Sequence, residues 1–375
     1  MKLELRLLSL VAALQLAPVA LADELVWAPP VKSERKKTLE VHHYLDITKV
    51  QKALGEMAPI DDPVSGQIAT WERLIWVDRI DAVEGARVGR FVRKYHELAS
   101  GGTADLVMPG PAGKPRTVKQ SDACASTMAQ REVRFTWVPA EQGYGRLWER
   151  LEGPEDFLQH VDHDVDLAAA LPGKDVQEGD SWSIAPERAV AFLAPGGYRF
   201  FEPRQATQFA RTHKVGAGGE LAAMLDAPQG TITATYKGKR TVDDRECGVI
   251  AIELDVTATA DRAEAFESIV PPEEARDPRR LSSCIVESSF KASGEVLWDL
   301  EAKRFHRFEL KGTESMAMAL AKRTVNDADE ASELKQTSML EGSFQLQLVN
   351  AEPDPVAPPK DAAAGAKPAE GEKKP

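Results

Sequence analysis

The chain has 375 residues, 28% of them charged, with 59 acidic against 47 basic side chains and a formal net charge of −12. That balance excludes an electrostatic footprint for nucleic acid, whose phosphates require clustered Lys and Arg, and it argues against charge-driven docking on an anionic lipid surface. Three cysteines occur without any C-x-x-C pattern, so neither a thiolate zinc site nor a dithiol-exchange motif is expected.

Met1 to Ala22 has the three parts of an export signal. Lys2 and Arg6 form a short positive start, Leu7 to Leu16 an apolar run broken only by Ser9 and Gln15, and Val19-Ala20-Leu21-Ala22 supplies the short side chains a peptidase needs. Cleavage is expected after Ala22, leaving Asp23 first. A membrane anchor competes with this reading, but a spanning helix needs about 20 consecutive apolar residues, and this run is shorter and followed by Asp23 and Glu24. No Cys follows the cleavage point, so acylation is not expected, and no later segment is apolar enough to span a bilayer. Lys2, Arg6 and Glu4 carry one net positive charge, so the remainder holds about −13. The expected location is the periplasm or the extracellular space.

A polar lead-in follows over residues 23–37, then a first β-module over 38–152. Within that module Asp46 to Met57 is a helix candidate, and Val133, Phe135 and Trp137 alternate with polar residues before the turn Glu141-Gln142-Gly143. Residues 153–226 form a helix-containing connection. Its best helix is Pro186 to Leu193, with proline in the first turn and Pro195-Gly196-Gly197 as the breaker; Gln205 to His213 and Leu221 to Asp226 are weaker helical patterns. The second β-module, 227–350, carries the strongest alternation. Ile232, Ala234 and Tyr236 face one way, then Ile250, Ile252, Leu254 and Val256, then Val296, Trp298 and Leu300, then Phe344, Leu346 and Leu348. One-faced alternation describes strands with one side on a core and one in water, the antiparallel condition. Asp243-Asp244 reads as a hairpin turn, and the charged stretch Glu267 to Arg280 as a tolerated insertion, with a partner-binding loop as the alternative. The tail, 351–375, holds almost nothing but Pro, Ala, Lys, Glu, Asp and Gly, too little apolar surface to offset the entropy of ordering.

The expected fold is therefore mainly β (α+β): a large, curved antiparallel sheet with a few short helices. A duplicated sheet is one reading. Trp76, Val83-Glu84-Gly85 and Cys124 have counterparts in Tyr236, Val242-Asp243-Asp244 and Cys284 at an offset of about 160 residues, and each half then has a strand ending in Trp137 or Trp298.

Candidate chemistry is sparse. In Gln159-His160-Val161-Asp162-His163-Asp164-Val165-Asp166, a helix would place His160, His163 and Asp164 at i, i+3 and i+4, where His and Asp suit zinc or another divalent ion. The alternative is a solvated acidic turn or a capped helix. Cys124, Cys247 and Cys284 allow one disulfide in an oxidising compartment, or buried thiols. The other histidines, His42, His43, His96 and His306, have no partner at ligand spacing. The tryptophans read as core rather than as a sugar-stacking platform. Gly179-Asp180-Ser181 invites comparison with serine hydrolases, but the D-x-x-H that would supply the base is missing, and the block reads as a turn leading into a strand at Trp182.

The phrase Leu171-Pro172-x₃-Val176-x₂-Gly179-Asp180-Ser181-Trp182, with the Gly294 to Leu310 strand-turn-strand, resembles exported, β-rich bacterial envelope proteins whose role is undefined. The resemblance implies fold and location, and it carries no activity and no catalytic residue. The primary expectation is a non-enzymatic binding or structural role without a cofactor. The sequence does not identify its partner, for which an envelope component and a small apolar ligand are the candidates. One alternative is a carrier holding a small apolar ligand such as lipid against the in-facing residues named above; the other is a metal-dependent hydrolase using the 160–166 cluster.

Overall fold

The computed structural model describes residues 22–84, 87–111, 114–126, 128–153, 158, 161, 163, 165–197, 202–203, 227–263, 281–325 and 331–351. The expected leader up to residue 21, the helical patterns at 205–213 and 221–226, the charged stretch 267–280 and the tail from 352 onward lie outside the described residues.

Alternation of apolar and polar residues over long stretches produces long strands. They are β1 (Glu34–Leu54), β2 (Ile60–Asp61), β3 (Ser65–Glu84), β4 (Arg87–Pro109), β5 (Pro115–Ala125), β6 (Glu132–Val138) and β7 (Gly143–Trp148). After the connection come β8 (Ser181–Ile184), β9 (Glu202–Pro203), β10 (Gln229–Val242), β11 (Arg245–Asp261), β12 (Leu281–Asp299), β13 (Arg304–Val325) and β14 (Ala331–Ala351). All belong to one curved, antiparallel sheet that does not close, in the order β7-β6-β4-β3-β1-β14-β13-β12-β11-β10-β8. At about 3.3 Å per residue, a strand the length of β3 spans about 65 Å. Among the described residues no helix is long and apolar enough to cross a membrane.

The two β-rich stretches are parts of this one sheet, joined where β1 pairs β14 from Lys36↔Ala351 to Leu54↔Leu334. Their landmarks occupy comparable places. Hairpin β3–β4 is followed by β5 on the far part of β4 and β6 on the near part, whereas hairpin β10–β11 is followed by β12 along nearly all of β11. Cys124 and Trp137 lie in β5 and β6, Cys284 and Trp298 in β12.

Hairpin chemistry follows the expected turns. Asp243 and Asp244 both adopt left-handed backbone (φ 49° and 59°) between Val242 and Arg245, the arrangement of a two-residue type I′ turn, where Asp is tolerated. His306 Nε2 lies 2.9 Å from the Asp243 carboxylate; this contact, with the neighbouring charges, holds the Asp243 carboxyl below its ordinary range. The helix at 186–193 is present as a 3₁₀ turn, Pro186–Arg188, running into an α-helix, Ala189–Leu193, with Gly196 and Gly197 at positive φ beyond it.

Asp46 to Met57 is not a helix. It is the end of β1 and a turn at Gly55. The cause is a bulge between Ile47 and Lys49, where the partners step from Leu340 to Met339. Inward positions are odd-numbered up to Leu45 and become even-numbered at Val50, which is buried. The extra residue puts Ile47 and Val50 three apart on the inward side, a spacing that mimics a helix.

The inward face carries one continuous core that includes Leu39, Trp76, Phe91, Phe135, Ile250 and Phe308, joined by Val161, Val165, Leu167 and Phe192 of the connection. Curvature around this core needs room on the inside of the bend. Inward-facing Gly294, Gly312 and Gly342 lie on a diagonal across β12, β13 and β14, each so close to the neighbouring strand that an added Cβ would collide with a carbonyl oxygen, that of Glu309, Lys291 or Tyr44. Glycine at such a corner permits the bend. Gly342→Ala is expected to destabilise the protein by about 1–3 kcal/mol through overpacking. Gly143→Ala, whose Cβ would meet only ordinary contacts, should change little; equal urea midpoints for the two variants would refute the assignment.

Candidate functional site

Three charged residues occupy inward positions among apolar neighbours: Lys37 beside Leu39 in β1, Asp78 between Trp76 and Ile80 in β3, and Arg93 between Phe91 and Tyr95 in β4. They meet because Asp78 and Arg93 are direct cross-strand partners and Lys37 lies opposite Trp76. Arg93 grips the Asp78 carboxylate with two donors, Nε to Oδ1 at 2.7 Å and Nη2 to Oδ2 at 3.1 Å. Lys37 Nζ reaches Asp78 Oδ2 at 2.8 Å and Asp166 Oδ1 at 3.1 Å. Trp76 Nε1 donates to Asp78, and Trp27 Nε1 of the lead-in donates to Asp166. Trp76, Phe91 and Phe135 surround the guanidinium with ring centroids within 5.7 Å of it, and Lys37 lies over Phe305. None of the four charged side chains is more than 3% exposed.

Burial pushes the Asp78 carboxyl upward, but Arg93 and Lys37 outweigh it and hold the group below the ordinary carboxylate range. Two bases balance two acids within a water-excluded space. This cluster knits the lead-in, through Trp27, and the connection, through Asp166 and the Gly196 carbonyl that accepts from Arg93, onto three strands. A second inward pair lies farther along: His43 Nδ1 sits 2.9 Å from both oxygens of Glu314, with its ring against Phe344. Charged residues at the apolar parity of separate strands are the sequence signal for such pairings, and strand alternation read only for apolar residues passes over them.

Of the expected metal ligands, His163 stacks its ring on Tyr144 at 4.8 Å, while His160 and Asp164 lie outside the described residues. The stretch is not a solvated turn where it is described: Val161, Val165 and Asp166 are buried, and Asp166 faces Lys37. Among the described residues no three His, Cys, Asp or Glu side chains gather around a cation position. Cys124, Cys247 and Cys284 are buried thiols rather than disulfides. Burial pushes the Cys247 thiol up and the Cys284 thiol up to about 11.

The Val176-to-Trp182 phrase has structural work. Val176 and Asp23 exchange backbone hydrogen bonds at 2.8 and 3.0 Å; Gly179 N donates to the Tyr236 carbonyl and Tyr236 N to that of Asp180. Gly179 adopts φ +95°, and Trp182 Nε1 donates to the Ala170 carbonyl. Ser181 lies against Thr235 at 2.8 Å, exposed at the start of β8. The turn-then-strand reading describes this segment.

The outward face is mixed, with charged and amide side chains predominating, and two grooves lie on it. One, of about 630 Å³, crosses β1, β14, β13, β12, β11 and β10. The other, of about 590 Å³, crosses β1, β3, β4 and β6. Between them Arg73 lies 3.5 Å from both Glu40 and Glu97, which line one groove each. Strand register arranges the larger groove in rows that start at its margin, on Arg73 and Trp71 of β3. Arg73, Glu40, Gln347, Glu309 and Glu295 are successive cross-strand partners, and Trp71, His42, Gln345, Lys311, Ser293 and Glu253 form the next row. Opposite them, the in-facing residues expected to line a lipid cavity, among them Ile232, Ile250, Val296 and Phe344, belong to the packed core, and Phe192 of the connection meets Phe308 at 6.0 Å.

No protein-family model and no curated protein matches the chain. Among solved structures, the InvG secretin-domain β-barrel of the Salmonella SPI-1 injectisome is similar at 8% identity and a TM-score of 0.17, over 88% of this chain and 66% of that one. OccK7 (OpdD) of Pseudomonas aeruginosa is similar at 6% identity and a TM-score of 0.19, over 84% of this chain and 99% of that one. Likeness at this level carries no inference.

Two outcomes test the buried groups. Because its folded pKa lies below the unfolded value of about 3.9, Asp78 contributes its full stabilisation above that value and loses it as pH falls through the depressed folded pKa. Asp78→Asn is expected to cost about 3–5 kcal/mol near neutrality. In urea titrations its deficit should shrink on acidification below about pH 4; a deficit constant from neutrality into acid would contradict the linkage. For the cysteines, alkylation without reductant should add nothing to the native protein and three adducts after denaturation; a pair that stays unreactive in denaturant would mean a disulfide.

Proposed function

We propose that this is an exported, non-enzymatic envelope protein that binds an envelope component on the outward polar face of its sheet. The observation that carries the reading is the pair of grooves meeting at Glu40, Arg73 and Glu97, on the face that the core leaves to solvent. A filled inward face makes the sheet a stiff support, and rigid sheets position polar side chains for recognition more accurately than loops do.

Export has its own support. Asp23, the expected first residue after cleavage, is tied to the fold by its backbone exchange with Val176, by the Tyr236 hydroxyl at 2.8 Å and by Lys239 Nζ at 2.6 Å. Burial first, then Asp23, pushes the Tyr236 hydroxyl above its ordinary range, so it remains the donor. Removal of the segment before Asp23 would leave these contacts in place.

Co-sedimentation of the exported form with the isolated envelope fraction of its source bacterium tests the proposal. Saturable binding is expected, weakened about tenfold, or about 1.4 kcal/mol, by the double substitution Lys311→Glu with Gln347→Arg at unchanged melting temperature. Equal retention of both proteins, or none of either, would overturn it. The recovered protein should have the mass of a chain starting at Asp23.

A further inference from the structure

We infer that the outward trough takes a glycan chain of low net charge, with Trp71 as its stacking platform. This rests on the outward-face binding reading above and names its ligand class. Four features of the face point the same way.

The first is aromatic. Trp71 is 39% exposed and Tyr44 is 52% exposed, whereas the other six tryptophans of the chain are buried or half-buried. Trp71 lies directly opposite His42, and Tyr44 is two residues along β1 on the same face. The two aromatic rings are thus diagonal neighbours, about 7–8 Å apart at the backbone. A flat apolar ring with a wet surround suits the C–H face of a pyranose, which is likewise apolar on its faces and polar at its edge.

The second is charge balance. The two rows beside Trp71 hold Glu40, Glu253, Glu295 and Glu309 against Arg73 and Lys311 with His42. Arg240 and Arg307 add two further cations at the groove, Arg240 pairing with Glu295 at 2.7 Å. A polyanion would meet the carboxylates and a polycation the guanidinium groups. Sugar hydroxyls each donate and accept, so they can satisfy carboxylates, amides and guanidinium groups together.

The third is planarity. Glu, Gln and Arg end in flat groups with two polar atoms, the geometry that meets two adjacent hydroxyls at once. Gln347 Nε2 already donates to Glu309 at 3.1 Å, a contact a ligand hydroxyl can join or replace. The fourth is extent. The grooves lie on either side of Arg73 across the sheet, and side chains within each row repeat at the strand spacing of about 4.8 Å, close to the length of one sugar unit. A chain, rather than a compact molecule, fills that shape.

The test titrates the exported form with cellohexaose, chitohexaose and maltohexaose, following tryptophan fluorescence and heat. At least one should bind saturably, Trp71→Ala should weaken it at least about tenfold, and Trp71→Phe should retain most of the affinity. Glu309→Gln, which keeps the shape and removes the charge, should weaken binding less than Trp71→Ala. Circular dichroism and melting temperature verify that each variant is folded. Absence of saturable binding by all three, or equal binding by wild type and Trp71→Ala, overturns the glycan assignment. If the envelope fraction still binds in that case, outward-face recognition survives and only the ligand class is wrong. Envelope binding abolished by protease treatment of the fraction identifies a protein partner and likewise overturns the glycan. Failure of both assays removes both readings.

Discussion

The pairing of β1 with β14 is the constraint on which the rest of the structure depends. Without that seam, β1 to β7 with β9, and β8 with β10 to β14, would be two separate open sheets, with β1 and β14 as their long unpaired edges. Such edges recruit other chains. The seam joins the first strand to the last, so its contacts are among the most distant in sequence that the chain can make. Pairings of this kind form late and carry a large loop-closure cost. The bend then follows from what lies beside the seam: Gly342 in β14, Gly312 in β13 and Gly294 in β12 allow the strands to close around the core.

A long seam is vulnerable to slippage, because a shift by one residue turns every side chain to the wrong face. The buried charges act against this. In register, Lys37, Asp78 and Arg93 all point inward and neutralise one another with Asp166. Slipped by one position, β1 would carry Lys37 and Leu39 to solvent and bring Lys36 and Glu40 into the core, leaving Asp78 and Asp166 short of a partner. A buried ion pair is a weak source of net stability; here its consequence is to penalise the wrong register. The same cluster fixes the connection against the sheet through Asp166, which explains why an acidic run in a nominally surface-like stretch is partly buried.

Much of the second half was legible in sequence, and the reason is physical. Over Ile232 to Tyr236 and Ile250 to Val256 one face is core and the other exposed or half-buried, so these stretches alternate cleanly, whereas Cys247 and Val249 nearer the turn are buried at the other parity. The turn at Asp243-Asp244 is local chemistry and reads directly. Alternation fails as a signal where the backbone departs from period two, as at the bulge after Ile47 that imitates a helix. It also fails where an inward residue is charged, because the partner that makes Arg93 or Lys37 tolerable lies on another strand. The burial of Asp166 was illegible for the same reason: its partner Lys37 is remote in sequence. Trp71 was recoverable from parity alone. Trp76 belongs to the core of β3, and a residue five positions earlier on an unbroken strand must face the other way.

That parity has a functional consequence. A two-faced sheet divides its side chains between holding itself together and meeting other molecules, and here the division is nearly complete. Where the connection is described, it covers the inward face with Val165, Leu167 and Phe192, and the inward charged groups Lys37, Asp78, Arg93, His43 and Glu314 are paired within the fold. On the proposed reading recognition falls to the outward rows, where packing demands are fewer, although Cys247, Val249 and Leu297 form a small buried cluster there. On such a face Lys or Thr would satisfy solubility at least as well as a large indole. An exposed Trp71 beside His42 and Tyr44, two residues along β3 from Arg73 and in a row with Gln345, Lys311 and Glu253, adds apolar surface that the core does not use. On the proposed reading, contact with a glycan is the use of that surface.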